Sequence, residues 1–217
     1  MFQTGHPAHI CHLFTNANEQ KSVALSFLKE GLERGEATLF VVGRQPLDDW
    51  YIELQAYGID VQRERERNAL NVITSAAYRS AEDFNSIVKA RELLEFIEDR
   101  LEQFEGVRII GDVAWEWDPP LPDDLVCHWE ATADLALSGL NVRTICQYGL
   151  NSDSPPILSA GLRTHQQVLV GERMYDNPFF EAPQILEREP ELNRSMVDRD
   201  QLNGMLRLLQ TASGLRD

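Results

Sequence analysis

The sequence predicts an α/β fold of three layers: a mostly parallel central sheet with helices on both faces, followed by a C-terminal β-hairpin and a final helix. Three observations carry this. Apolar runs of strand length, ATLFVV at 37–42 the clearest, lack the alternation of a half-exposed strand and so read as strands covered on both faces. Amphipathic stretches long enough for helices lie between them, which gives the strand–helix alternation of a parallel sheet. Helix punctuation falls at the boundaries, with Pro46 at a start and Gly35 and Gly58 just past the ends.

Taken in order, the first strand carries His9 and Cys11 and runs into a polar loop. A helix from about Asn18 to Arg34 places Val23 with Phe27, and Ala24 with Leu28 and Leu32, on a core-facing stripe. The second strand is Ala37 to Val42, and Pro46 opens a helix that Gly58 closes. The stretch Ile59 to Ile73 reads as a short strand (IDV), a solvated charged run (RERER) and a further strand (LNVI). Ser80 and Asp83 resemble a capping box for a helix to about Phe104, with Ile87, Leu94, Ile97, Leu101 and Phe104 as its inner stripe. Val107 to Ile110 is the next strand, ending at Gly111-Asp112. A helix from about Asp123 to Ser138 turns Leu125, Trp129 and Ala133 inward and leaves Glu130 one step off that stripe, as an ordinary surface carboxylate. Val142 to Tyr148 is another strand, and a Ser-Pro-Pro turn leads into a short helix ending near His165. Val168 to Val170, Gly171 and Met174-Tyr175 then read as a hairpin.

The 217 residues, 43% apolar and 25% charged, suffice for one well-cored domain, read as 1–183, with a linker and amphipathic helix over 184–217. A formal net charge of −15 opposes direct nucleic-acid binding, which draws on clustered Lys and Arg. There is no signal-peptide pattern and no apolar run near the length of a membrane span, so a cytoplasmic protein is expected. The cysteines, Cys11, Cys127 and Cys146, form no C-x-x-C pair and read as reduced thiols.

The loop after the first strand stands where an α/β nucleotide-binding protein holds phosphate. Set against G-x-x-x-x-G-K-[ST], Lys21 and Ser22 fill the last two places. Thr15 and Gln20 replace the glycines whose backbone freedom lets N–H groups curl round a phosphate. Asp112, after an apolar strand, takes the place of a Walker-B carboxylate. Beyond it lie Trp115 and Trp117, at the strand ends where open α/β sheets form their ligand crevice. Tryptophans exposed there are costly unless they cover a ligand, a partner or a helix.

Cys11, His12, Cys127, His128, Cys146 and His165 are soft or borderline metal ligands. Adjacent Cys-His pairs point apart, to opposite faces of a strand or by about 100° on a helix, so at most one of each pair can join a given site. Buried, hydrogen-bonded side chains are therefore expected, with no metal and no cofactor. Cys146 activated by His165 and oriented by Glu130 is the arrangement a thiol nucleophile would use, yet such combinations arise readily by chance and no catalytic residue is assigned.

Several positions together resemble a known family: His9-x-Cys11 on the first strand, the glycine-poor loop, Gly31 and Gly35-Glu36 around the first helix end, and the segment Asp112 to Trp115. Glu130, Cys146-Gln147-Tyr148, His165 and Asn177-Pro178 complete the set. Over about residues 6 to 185 the chain looks like the MEDS family, the methanogen, methylotroph and DcmR-type sensory domain. Gln166 and Gly149 depart from that family's usual pattern. The resemblance implies a RecA/KaiC-like core with a degenerate phosphate loop (Thr15, Gln20, Lys21, Ser22, Asp112). It implies a ligand pocket at His9, Cys11, Trp115, Glu130, Cys146, Tyr148 and His165. It also implies a non-catalytic signal-input role, in which a small apolar molecule is bound and the event relayed to a histidine kinase or a transcriptional or response regulator. Two other readings stand beside it: a surviving ATPase using Lys21, Ser22 and Asp112, and an interaction module that titrates a regulator. Leu202, Met205, Leu206 and Leu209 share one face of the last helix, which packs back on the domain, forms a homodimer or docks on a partner.

Overall fold

The computed structural model describes residues 8–43, 46–74, 84–113, 123–188 and 197–213. Its strands are β1 Ala8–Phe14, β2 Ala37–Val42, β3 Leu70–Thr74, β4 Val107–Asp112, β5 Val142–Gly149, β6 Gln167–Val170 and β7 Arg173–Asp176. They form one seven-stranded sheet in the order β3-β2-β4-β5-β1-β6-β7. All neighbours pair in parallel except β7, which turns back antiparallel on β6. The helices are α1 Ala17–Glu33, α2 Leu47–Ala56, α3 Val61–Glu66, α4 Ser86–Leu101, α5 Asp123–Leu137, α6 Pro155–Thr164, α7 Pro183–Arg188 and α8 Arg199–Ser213.

The three expected layers are present. On one face of the sheet α1, α2 and α3 pack over Ile10, Phe40, Ile110 and Ile145. On the other, α4 and α5 cover Leu39, Ile109 and Val142, while α5, α6, α7 and α8 cover Cys11, Cys146 and Tyr148. Every residue of β2 is buried, which is why ATLFVV shows no alternation. The last helix packs back on the domain: Leu202 and Leu209 are fully buried in the same cluster as Leu158 and Leu162 of α6. Among the described residues no helix is long and apolar enough to cross a membrane.

Two local expectations are corrected. The segment IDV is not a strand. Asp60 accepts a hydrogen bond from the Arg63 amide at 3.1 Å and caps α3, and the charged run forms that helix, with Glu64 and Arg67 paired one turn apart. The helix before β4 starts at Ser86, where the Asn85 side chain accepts from the Ile87 and Val88 amides; Ser80 and Asp83 lie outside the described residues. Of the expected stripe, Ile97, Leu101 and Phe104 do pack on the core, but Ala90 and Leu93 are the buried residues of the earlier turns and Ile87 is 57% exposed.

The glycines near the end of α1 also find a physical cause. Arg108 of β4 is fully buried; its guanidinium binds the Glu36 carboxylate and donates to Phe27 O at 3.1 Å. A Cβ at Gly31 would stand 2.6 Å from Arg108 Cδ, so only glycine lets the helix lie over this side chain.

Candidate functional site

The site is assembled by parallel register. β1 and β5 are neighbours with His9 opposite Thr144 and Cys11 opposite Cys146. Alternation then sends His9 and Cys11, with Thr144, Cys146 and Tyr148, to the face covered by α5 and α6. α5 lays Glu130 over these strands. α6 ends at His165, whose extended C-cap backbone brings its ring to 3.9 Å, centroid to centroid, from that of His9.

Glu130 is the hub. Only 1% exposed, it is not the surface carboxylate its place beside the apolar stripe suggested. Its Oε1 accepts from the Tyr148 hydroxyl at 2.8 Å. Its Oε2 lies 3.2 Å from His9 Nε2, accepts from the Cys146 thiol at 3.4 Å and stands 3.9 Å from His165 Nε2. Cys146 Sγ is also 3.4 Å from His9 Nε2. The other ring nitrogen of His9, Nδ1, lies 3.4 Å from Asp134 Oδ1, close enough to pair with its charge but outside hydrogen-bond geometry.

His165 is held in one tautomer. Its Nδ1 lies 2.8 Å from the Gly161 carbonyl, which can only accept, so Nδ1 carries the hydrogen. Nε2 of the neutral ring is then a bare lone pair, fully buried, without a hydrogen-bond partner and directed into the cluster.

Electrostatics follow from burial and these contacts. Burial pushes the Glu130 carboxyl up, but the hydrogen bond from His9, the neighbouring His165 and the Tyr148 hydroxyl outweigh it and hold the carboxyl at about 2. Burial opposes protonation of His9, yet Cys146, Asp134 and Glu130 outweigh it and raise the imidazole well above its ordinary value. Burial, then the charge of His9, lowers His165 to about 3. Burial, then the charge of Glu130, raises Cys146 to about 12, so the group is a thiol at neutral pH.

A cavity of about 50 Å³ opens beside this cluster, walled by Val41, Leu93, Ile109 and Trp129, with Asp112 at its margin and His9, Glu130 and Cys146 at its polar end. A second, of about 140 Å³, is lined by His9, Asp134, Ser138 and Gln166. Thr144 lines both, and its buried hydroxyl has no hydrogen-bond partner.

Of the residues singled out in the sequence, the fold brings together His9, Glu130, Cys146, Tyr148 and His165. Cys11 is fully buried on the same face, in the apolar cluster that includes Cys146 and Tyr148. Trp115 lies outside the described residues, as does Trp117. His9 and Thr144 lie near the amino ends of their strands, while the cavity beside them also reaches Val41, Gly111 and Asp112 toward the carboxyl ends of β2 and β4. Sequence reading passed over Asp134, Thr144 and Trp129 as site residues. Asp134 is one helical turn after Glu130, and Thr144 is two residues before Cys146 on the same strand face, so helix and strand periods applied to the chosen residues would have reached both. Trp129 was legible only as a core residue.

The positions matched to a phosphate loop are elsewhere. Asn16 caps α1, accepting from Asn18 N at 3.0 Å and Glu19 N at 3.1 Å, so residues 17–22 are already helical. Glu19 accepts from the Thr15 amide at 2.7 Å and the Thr15 hydroxyl at 2.6 Å. Lys21 pairs with Glu53 at 2.6 Å, and Ser22 is exposed. The backbone of Gln20 accepts from Gln147 Nε2 at 3.0 Å, and the same amide group reaches His12 Nδ1, on the opposite face of the sheet from Cys146.

Comparison with known proteins agrees with this architecture. A family model described as MEDS, the methanogen/methylotroph, DcmR sensory domain, matches residues 8–166. A crystal structure of a KaiC-like protein from the hyperthermophilic archaeon Pyrococcus horikoshii is similar with a TM-score of 0.50 at 14% identity, covering 75% of this chain and 70% of that one. At that identity the likeness shows a shared KaiC-like, RecA-type fold. Among curated proteins no sequence matches significantly. The matched span runs from β1 to just past the C-cap of α6 and takes in every member of the His9–Glu130–Cys146–His165 cluster, and the chain belongs to the MEDS family of sensory domains.

Proposed function

We propose that this protein is a non-catalytic signal-input module that binds a small, largely apolar molecule beneath α5 and relays the event to a signalling or transcriptional partner. The observation that supports it most is the cavity of about 50 Å³, apolar along Val41, Leu93, Ile109 and Trp129 and polar at one end. A space of that size suits a molecule of a few heavy atoms, and an apolar wall with few convergent polar groups is the usual make-up of a ligand site. The sensory character of the family agrees with it.

A relay needs an element whose position the ligand can bias. Tyr148 binds Glu130 and packs its ring on Gly161 of α6, where a Cβ would come within 2.9 Å. α6 in turn shares its buried leucines with α8, which leaves Leu208 61% exposed on the outside. Occupancy of the cavity is thereby coupled through α6 to α8, the surface offered to a kinase, a regulator or a second copy.

The loop of Thr15, Gln20, Lys21 and Ser22, with Asp112, is read as the remnant of a phosphate loop. Its amides are taken up by Asn16 and Glu19, which disfavours the ATPase reading. A Cys146 raised to about 12 disfavours thiolate catalysis.

The test is calorimetric titration and tryptophan emission with a panel of short-chain alcohols, ethers, ketones and halides. Saturable binding that is lost in the cavity-filling Ala133→Phe variant is expected. A folded wild-type protein that binds no member of the panel would overturn the reading.

A further inference from the structure

We propose that His9, Glu130, Cys146 and His165 form the binding site for one divalent first-row transition-metal ion of the zinc type. Their four ligand atoms all lie within 4.8 Å of one another. A tetrahedral ion with bonds of about 2.0–2.3 Å sets its ligands about 3.3–3.8 Å apart. Four of the six edges are 3.2 Å (His9 Nε2 to Glu130 Oε2), 3.4 Å (Glu130 Oε2 to Cys146 Sγ), 3.4 Å (Cys146 Sγ to His9 Nε2) and 3.9 Å (His165 Nε2 to Glu130 Oε2). His9, Glu130 and Cys146 are already at ligand spacing, and His165 would close in on them to complete the shell.

The second, independent observation is the buried lone pair of His165. Nδ1 donates to Gly161 O, which fixes the tautomer that leaves Nε2 free, unpartnered and aimed at the centre. A ligating histidine is held in this way, with its other ring N–H given to a carbonyl or carboxylate. Around the other ligands, Asp134 stands 3.4 Å from the far nitrogen of His9, and Tyr148 holds Oε1 of Glu130 while Oε2 faces inward. Two imidazoles, a thiolate and a carboxylate suit zinc and its neighbours rather than magnesium or calcium, which prefer all-oxygen shells.

The exchange balances. Cys146 gives up its thiol proton to solvent as the dication enters, and His9 and His165 ligate as neutral rings, any further proton on His9 leaving by the same route. Four protein ligands complete the shell, so the ion would tie β1, α5, β5 and the end of α6 together beside the cavity. The site needs no organic ligand, so its test stands apart from the small-molecule reading.

The full chain, stripped with chelator and dialysed, is titrated with Co²⁺ and then Zn²⁺. One equivalent of Co²⁺ is expected to give a thiolate-to-cobalt charge-transfer band and intense tetrahedral d–d bands, both bleached by one equivalent of Zn²⁺. Cys146→Ser should lose the charge-transfer band, and His165→Gln should weaken binding at least about tenfold, with folding checked by circular dichroism. Where a variant fails to fold, X-ray absorption of the zinc-loaded wild type decides, with one sulfur and three nitrogen or oxygen neighbours expected. Absence of stoichiometric uptake by the wild type, uptake unchanged in folded Cys146→Ser, or a shell without sulfur would each overturn the proposal.

Discussion

Glu130→Gln probes the hub of the cluster with the least change of shape. The amide keeps an oxygen for the Tyr148 hydroxyl but removes the charge that faces His9 at 3.2 Å. The magnitude follows from the carboxyl's depression from its ordinary 4.5 to about 2. At about 1.4 kcal/mol per unit, ionised Glu130 stabilises the metal-free folded state by about 3 kcal/mol at neutral pH. Because the folded-state value lies below the unfolded one, that contribution is complete above about pH 4.5 and is lost as pH falls toward 2. Wild type and Glu130→Gln should therefore differ by about 3 kcal/mol at pH 7, a large share of a typical domain's 5–15 kcal/mol, and should converge near pH 2. The assay is urea unfolding followed by circular dichroism across that range, with chelator present so that no ion substitutes for the protons. A difference below about 1 kcal/mol at pH 7, or one that does not change with pH, would refute the assignment of Glu130 as the buried anion of this cluster.

Three further outcomes are expected. Gly161→Ala drives a Cβ to within 2.9 Å of the Tyr148 ring, so it should cost about 1–3 kcal/mol in unfolding experiments, the range for overpacking. Glu36→Gln leaves the fully buried Arg108 guanidinium with a weakened partner set and should cost about 3 kcal/mol, read from the urea midpoint at unchanged slope. Millimolar Mg-ATP should leave the melting temperature unmoved, and Lys21→Ala should cost under about 1 kcal/mol, because Lys21 holds a partly exposed pair with Glu53 beside the Trp50 ring. A melting-temperature rise with Mg-ATP that Lys21→Ala abolishes would restore the nucleotide reading.

The sheet was readable because its strands announce themselves. Ala37–Val42 is apolar throughout, and covering helices on both faces are the physical condition for such a run. The failures were local. Ile59 to Val61 is too short for periodicity to tell strand from helix, and the decisive group was Asp60, whose side chain caps α3. Leu93 and Leu94 are adjacent apolar residues, so the sequence offers either to the core, and packing against the sheet buries Leu93. At the site, types and family resemblance led to His9, Glu130, Cys146, Tyr148 and His165, but nothing local marks Glu130 as buried. It becomes so only when β1 and β5 pair in register beneath α5. The free nitrogen of His165 was equally out of reach, because it depends on a contact four residues back, to the Gly161 carbonyl, and on the C-cap geometry of α6.

Open α/β sheets commonly bind ligands outside the carboxyl ends of their strands, where loops offer backbone amides. In this chain the β1 end has little to offer in that way. The Thr15 amide is held by Glu19, and those of Asn18 and Glu19 by Asn16. The chemically capable groups lie instead on the sheet face, where an apolar layer would have been simpler to build. A carboxylate, two imidazoles and a thiol placed there carry a desolvation cost that only mutual pairing offsets, and pairing is incomplete: His165 Nε2 and the Thr144 hydroxyl have no hydrogen-bond partner. A cluster kept for stability alone would be expected to satisfy those atoms. Their orientation toward the His9 cluster and the adjoining cavities is what the binding role proposed for this face of β1 and β5 requires.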